Sequence, residues 1–250
     1  MGISTRPIRP DDFGVFAQIP GIAAVARDQD LRLFWCTKAF VKVAGTVDSS
    51  EDIHGTTLNE ILPMGAAKER TLIHQRVMET GESTSHYQFS ADARVLCTVF
   101  PLDEDAFGHK GVFAIVKDAP VNTRLCEFHD IDVLSTPNLL RLGVLSSREL
   151  EILHYVATGM STHEIAELVC RADKTIEHHV NSIHGKLGTH SRAQLVRFAS
   201  ERGIQSFTAE EWASIVRGAR MVKRHGPAAG EIEAKDAASG VLLHSDRTSA

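Results

Sequence analysis

Three Ser-x-x-Glu/Gln steps interleaved with three glycines constrain residues 141–205 more than any other feature of this 250-residue chain constrains its fold. Ser146 with Glu149, Ser161 with Glu164 and Ser191 with Gln194 each have the form of a capping box. In that motif the Ser oxygen accepts from the amide three residues on, and the Glu or Gln side chain accepts from the Ser amide. Gly159, Gly188 and Gly203 fall where the resulting helices must stop, at positions suited to a left-handed C-cap. One such step is weak evidence, but three with matching glycines in about 60 residues define several short helices joined by tight turns.

Within this set, residues 160–180 read as a helix, a tight turn and a second helix. Ile165, Ala166 and Val169 make a small apolar face on the first, and Ala166 is compact enough for another helix to cross close by. The second carries Ile176, Val180, Ile183 and Leu187 at steps of four, three and four, which puts them on one side. Its opposite side presents Lys174, His178, Asn181 and Gly185, with Glu177 and His184 on one flank and Thr175 and Lys186 on the other. Any surface helix is polar outside, so polarity alone indicates only solvent. The capped helix and turn ahead of it make this a helix-turn-helix, whose second helix enters a major groove and reads base edges with polar groups.

Residues 141–205, about a quarter of the chain, resemble the LuxR-type helix-turn-helix domain, an all-α fold of four helices. The likeness is carried by Arg148-Glu149, Gly159, Ser161, Glu164-Ile165-Ala166, Lys174-Thr175-Ile176, His179-Val180, Ile183, Lys186-Leu187 and Arg192. It implies double-stranded DNA as a partner, base contacts from Glu177, His178 and Asn181, and phosphate contacts from Lys174, Thr175 and Lys186. Three positions depart from the pattern: Cys170 stands where a turn glycine is usual, Arg171 where an apolar residue is, and Ala172 where a Ser caps the recognition helix. A non-glycine at positive φ costs on the order of 1 kcal/mol, and a lost cap about as much. Asp173 is the alternative cap. One short recognition helix spans few base pairs, so a homodimer on two half-sites is expected. Candidate self-contacts are Leu195 and Phe198 on the helix after Ser191, or the sheet of the N-terminal half.

The net charge of −5 is unevenly spread. Residues 1–120 carry 12 basic against 16 acidic side chains, whereas residues 141–205 carry 8 against 7. A margin of +1 is thin for a segment that must neutralise phosphates. Six of the 13 histidines (His154, His163, His178, His179, His184 and His190) lie there and form a reserve of charge below neutral pH. Cys36, Cys97, Cys126 and Cys170 are scattered, with no metal-ligand spacing, and read as reduced, mostly packed thiols. No signal peptide and no apolar run of about 20 residues is present, so a cytoplasmic protein without membrane contact is expected.

The first 120 residues follow a different plan. Gly21–Ala26 and Leu31–Cys36 flank the turn Arg27-Asp-Gln-Asp as a hairpin. Helical segments follow around residues 38–44 and 58–62. Residues 66–80 form an amphipathic helix whose apolar face is Leu72, Ile73, Val77 and Met78. Three strands come after Gly81: residues 84–90, 94–102 and 111–116. This order predicts an α+β unit, an antiparallel sheet with helices packed on it. Residues 12–118 resemble a PAS domain through Asp28-Gln-Asp, Phe34-Trp-Cys-Thr-Lys-Ala-Phe, Ile53-His-Gly-Thr-Thr-Leu, Glu79-Thr-Gly-Glu, Phe100-Pro-Leu-Asp and Gly111-Val-Phe-Ala-Ile-Val. The resemblance implies a sensor of a small molecule or a protein partner. No cofactor is assigned: the Asn-Cys-Arg motif of flavin photosensors is missing, and His74, on the helix that offers an axial ligand in some haem-binding relatives, reads as a half-exposed surface histidine. Cys36 and Cys97 read as small packed hydrophobes.

Residues 119–140 read as a linker, ending in a short helix opened by Thr136 and Pro137 and running through Leu139, Leu140 and Leu142. Thr208 with Glu211 opens an extra helix through Trp212, Ile215 and Val216 within residues 206–224, and residues 225–250 have the composition of a disordered tail. The expected function is a sequence-specific transcription regulator, with a partner-binding adaptor that no longer reads DNA as the alternative. No residues combine as a catalytic or metal site, so an enzyme is not expected.

Overall fold

Strand β1 (Ile22–Asp28) is buried on both faces, and the sheet grows outward from it. The computed structural model describes residues 10–44, 53–119 and 131–225. The other strands are β2 (Leu33–Cys36), β3 (Thr84–Ser90), β4 (Ala93–Leu102), β5 (Gly111–Asp118) and β6 (Asp132–Val133). They pair in the order β2-β1-β5-β4-β3-β6, antiparallel except for β3 with β6. Successive side chains on a strand point to opposite faces. Ala23 and Val25 therefore join Phe40, Ile61 and Val77 from helices α1 (Lys38–Ala44), α2 (Leu58–Ile61) and α3 (Met64–Thr80). Ala24 and Ala26 cluster instead with Phe113 and with Phe13 of the 3-10 segment Pro10–Gln18. The N-terminal half has the expected PAS-like α+β architecture.

Two details differ from the sequence reading. Helix α3 buries Ala66, Ala67, Arg70, His74 and Val77, while Leu72 is 57% exposed. Of the expected apolar face, Val77 is buried and Ile73 and Met78 pack half-buried against the core, so only Leu72 was misplaced; the buried stripe instead takes in Arg70 and His74, two large polar residues that line a cavity. The second difference is at residues 132–138, which form no helix. They run along the open edge of β3, where Leu134 N donates to Tyr87 O at 2.8 Å and Asn138 N to Phe89 O at 3.0 Å. Glu69 of α3 accepts from the Ser135 and Thr136 amides, both at 3.0 Å. An unpaired sheet edge and a carboxylate satisfy this backbone where one helical turn could not, and Pro137 is tolerated because an edge strand does not need every amide.

After the one-turn α4 (Glu104–Phe107) between β4 and β5, the C-terminal half is helical: α5 (Ser147–Ala157), α6 (Thr162–Leu168), α7 (Asp173–Leu187), α8 (Arg192–Glu201) and α9 (Ala209–His225). Complete capping boxes start α5 and α6, as expected. At α8 the Ser191 oxygen caps Gln194 N, but the Gln194 side chain accepts from His190 N instead. Gly159, Gly188 and Gly203 all take positive φ. Thr208 and Glu211 cap α9 reciprocally, and Trp212 of that helix is 2% exposed with its indole N–H on Leu150 O at 2.8 Å. The extra helix is therefore part of this core. Residues 226–250, expected as a tail, lie outside the described residues. Leu195 and Phe198, expected as self-contacts, are 0% and 9% exposed in the same core and cannot also face a second copy.

The two halves share a packed boundary. Phe89 of β3 is fully buried in the helical core, with its ring 5.3 Å from Trp212 and 6.0 Å from Phe207. The Asp92 carboxylate accepts from the amides of Leu140, Arg141 and Leu142. Arg94 N donates to Arg202 O at 2.9 Å. Gly218 of α9 lies so close to the edge strand that a Cβ there would sit 2.0 Å from Ser135 O, so only glycine fits.

Candidate nucleic-acid interface and buried cavity

The turn between α6 and α7 takes the conformation its sequence makes costly. Cys170 has φ +53°, the left-handed geometry expected of the glycine it replaces. Arg171 N returns to Ala166 O at 2.9 Å, closing the end of α6. Ala172 is the N-cap of α7, extended at φ −75° and ψ 147°, and supplies no side-chain acceptor. Asp173 does not take over as cap. It is the first helical residue, and its carboxylate lies 3.2 Å from His163 Nδ1. That hydrogen bond, with the charges of Asp173 and Glu167, raises the His163 pKa above the usual imidazole range.

Helix α7 buries Ile176, Ile183 and Leu187, with Val180 half-buried beside them. Lys174, Thr175, Glu177, His178 and Asn181 are all exposed. The side chains of Lys174, Thr175, Glu177 and Asn181 make no hydrogen bond or ion pair to another described residue; His178 touches only the neighbouring His179 ring, centroids 6.3 Å apart. This is a free face of donors and acceptors on one rigid helix.

Lys186 is placed differently from its expected role on phosphate. Its ammonium lies 2.7 Å and 2.8 Å from the two oxygens of Glu149, which also accept from Ser182 Oγ at 2.7 Å and from the Ser146 amide at 2.7 Å. Glu149 is 4% exposed. Burial pushes its carboxyl up, but donation by Lys186, Ser146 and Ser182 prevails and holds it down at about 2. The outward position of Lys186 on a helical wheel was legible, but the carboxylate of α5 reaching over to meet it was not.

Several histidines of the expected charge reserve are structural. His154 is buried, bonded to Phe207 O at 3.0 Å and stacked on Trp212, and burial lowers its pKa. His184 bonds Thr189 Oγ1 at 2.7 Å.

A second feature lies in the N-terminal half. Between the sheet and helices α1 to α3 is a small cavity of about 50 Å³. Val25, Phe40, Leu62 and Val116 make its walls apolar, while Arg27, Arg70, His74, His86 and Gln88 converge on it. His74, expected to be half-exposed, is 6% exposed. Burial, then the neighbouring charges of Arg27, His86 and Arg70, push its pKa down to about 3. Burial and Arg70 lower His86 to about 4. Cys97 in the wall is buried with its thiol pushed up to about 12 and is the packed hydrophobe expected. Among the described residues no group of three or more His, Cys, Asp or Glu could hold a metal, and no helix is long and apolar enough to cross a membrane.

Residues 143–199 match the family described as bacterial regulatory proteins, luxR family. This segment is a LuxR-type helix-turn-helix domain. Over 62 residues the chain is 45% identical to the Fimbriae Z protein of Escherichia coli K12, covering 25% of this chain and 30% of that protein. Over 64 residues it is 42% identical to the Oxygen regulatory protein NreC of Staphylococcus aureus, covering 26% and 30%. The chain thus spans about 30% of the length of the curated relatives it matches. Among solved structures, the Vibrio cholera VqmA-ligand-DNA complex aligns over 82% of this chain and 92% of that one, at 22% identity and a TM-score of 0.43. The PAS domain of Bordetella pertussis BvgS aligns over 45% of this chain and 87% of that one, at 17% identity and a TM-score of 0.37.

In the LuxR-type domain, several residues that carried the resemblance hold the fold together. Glu149 and Lys186 tie α5 to α7, Arg148 pairs with Glu151 at 2.7 Å, and Arg192 donates to the Met160 carbonyl.

Proposed function

We propose that this protein is a sequence-specific DNA-binding transcription regulator whose N-terminal PAS-like half, residues 12–118, senses a small molecule or a partner. DNA reading is assigned to residues 141–205. The observation that carries this is the outward face of α7: five exposed polar side chains, none bonded or ion-paired to another described residue, on a helix anchored by Ile176, Ile183, Leu187 and the Lys186–Glu149 pair. In this reading Glu177, His178 and Asn181 meet base edges. Lys174 and Thr175 meet phosphate, joined by the exposed Arg171 at the helix entrance, where free helix N-terminal amides add to the attraction. Two copies bind two half-sites about one helical turn apart.

The pairing of Lys186 with Glu149 leaves the net margin of the segment at +1 but engages one of its cations within the protein, and it favours the adaptor alternative to that extent. Genomic selection with the purified full chain, followed by gel shift and footprinting at two salt concentrations, tests the reading. Enrichment of one two-part sequence with a steep salt dependence supports it. No enrichment over random DNA refutes it and leaves the adaptor.

A further inference from the structure

We propose that the cavity takes a small organic monoanion, a carboxylate carried on an apolar body, gripped between Arg27 and Arg70. This rests on reading the N-terminal half as a sensor and names the class of ligand sensed.

Arg27 is 0% exposed and Arg70 6%. Arg27 uses one terminal nitrogen on Leu31 O and Thr56 O, both at 2.9 Å, while its Nε and other terminal nitrogen find no protein acceptor. Arg70 donates through Nε to Gln88 Oε1 at 2.7 Å and through one terminal nitrogen to Ala66 O at 3.0 Å, and its second terminal nitrogen is unpartnered. Among the described residues neither guanidinium has a carboxylate within ion-pair distance. The acids beside them are committed elsewhere: Asp28 accepts from the amides of Asp30 and Arg32, and Glu69 from those of Ser135 and Thr136.

Burying a cation without a counter-charge is expensive, and two in one cavity more so. Desolvation lowers both arginines only to about 10, so both are charged at neutral pH. The groups around them do not compensate, because His74 and His86 are pushed down and hold no negative charge. Three guanidinium donors left open match the in-plane lone pairs of a carboxylate, which accepts several such bonds at once. His74 Nδ1, also without a protein partner, can add a further contact. A metal ion is disfavoured because the open groups are donors and the field is positive. The apolar walls exclude a bare inorganic ion and require a carbon body behind the charge.

The test is calorimetric titration of the full-length protein at pH 7.5 with small acid and amide pairs of matched shape: acetate with acetamide, and propionate with propionamide. At least one acid should bind at least about tenfold more tightly than its amide. That preference should fall below about twofold in Arg27→Gln and in Arg70→Gln. If a variant fails to fold, the acid-to-amide ratio of the wild type decides alone. Equal binding of acid and amide, or no binding by either acid at millimolar concentration, overturns the inference. Gel shifts with and without the bound acid keep the two readings apart. Acid-selective binding with unchanged DNA affinity leaves the anion site standing and removes the sensing role, whereas equal binding of acid and amide with altered DNA affinity does the reverse.

Discussion

Lys186 of α7 closes on Glu149 of α5 with 2.7 Å between ammonium and carboxylate, and the acid is almost fully buried while the base is 37% exposed. The pair joins the start of the first helix of the domain to the end of the recognition helix. Replacing Lys186 by Ala leaves Glu149 with only neutral donors and should destabilise the chain by about 1–3 kcal/mol, the cost of stripping one charged partner from a buried group. The sign with pH follows from the lowered carboxyl: the contribution is complete above the unfolded value near 4.5 and is lost as pH falls towards about 2. Chemical denaturation of wild type and Lys186→Ala at pH 7 measures the effect. An unchanged midpoint would show that the ion pair contributes nothing.

The free residues of α7 should divide by role. Lys174→Ala should weaken all DNA sequences alike and reduce the slope of affinity against salt by about one phosphate. Asn181→Ala should cost roughly 1–3 kcal/mol on the preferred sequence and leave random DNA unaffected. Filter binding on both DNAs at several salt concentrations separates them, and equal losses on both for Asn181→Ala contradict its role.

Ala172 leaves the start of α7 uncapped. Ala172→Ser restores an acceptor for the free amides of the first turn and should stabilise the full chain by about 0.5–2 kcal/mol. Thermal melts read this directly, and a lower melting temperature would mean that the serine oxygen does not reach those amides.

Acid should weaken the fold well before the carboxylates titrate. His74, His86 and His154 have lowered pKa values when folded, so below the unfolded value near 6.5 the unfolded chain takes up protons that the folded chain refuses. Stability from these three therefore falls as pH drops from about 6.5 towards 4. His163, raised by Asp173, opposes them, since its contribution grows as pH falls. His74 is surrounded by Arg27, Arg70 and His86, so its term should dominate. Melting temperatures at pH 7.5 and 5.5 for wild type and His74→Gln test this; an equal drop in both would exclude His74.

The capping boxes, left-handed glycines and recognition helix were legible because their signals are local: a side chain and an amide three residues apart settle the geometry. The strained Cys170 and bare Ala172 could be read for the same reason. Five of the six strands were legible within a few residues from alternation and turns, while the two-residue β6 lies in the stretch read as a linker. The failures share a non-local cause. Arg70 and His74 look like the outer face of α3 until the cavity is known. Thr136 looks like a helix start until the edge of β3 and Glu69 are brought to it. The partner that Lys186 meets, Glu149, comes from 37 residues away and could not be read from the helix alone. Leu195 and Phe198 look available for a second copy until α9 and the sheet enlarge the core they belong to.

Strand β3 is a party wall. His86, Gln88 and Ser90 face the cavity, and the intervening Phe89 sits among Phe207 and Trp212 on the other side. The consequence concerns modularity: the helical half is not a detachable cassette, because cutting the chain ahead of it removes an aromatic ring from its centre. Its core is finished by a residue encoded in the other half, so a cut made at residues 119–140 parts that core from Phe89, and exchange of one half between relatives has to carry Phe89 or a ring of its shape along with it.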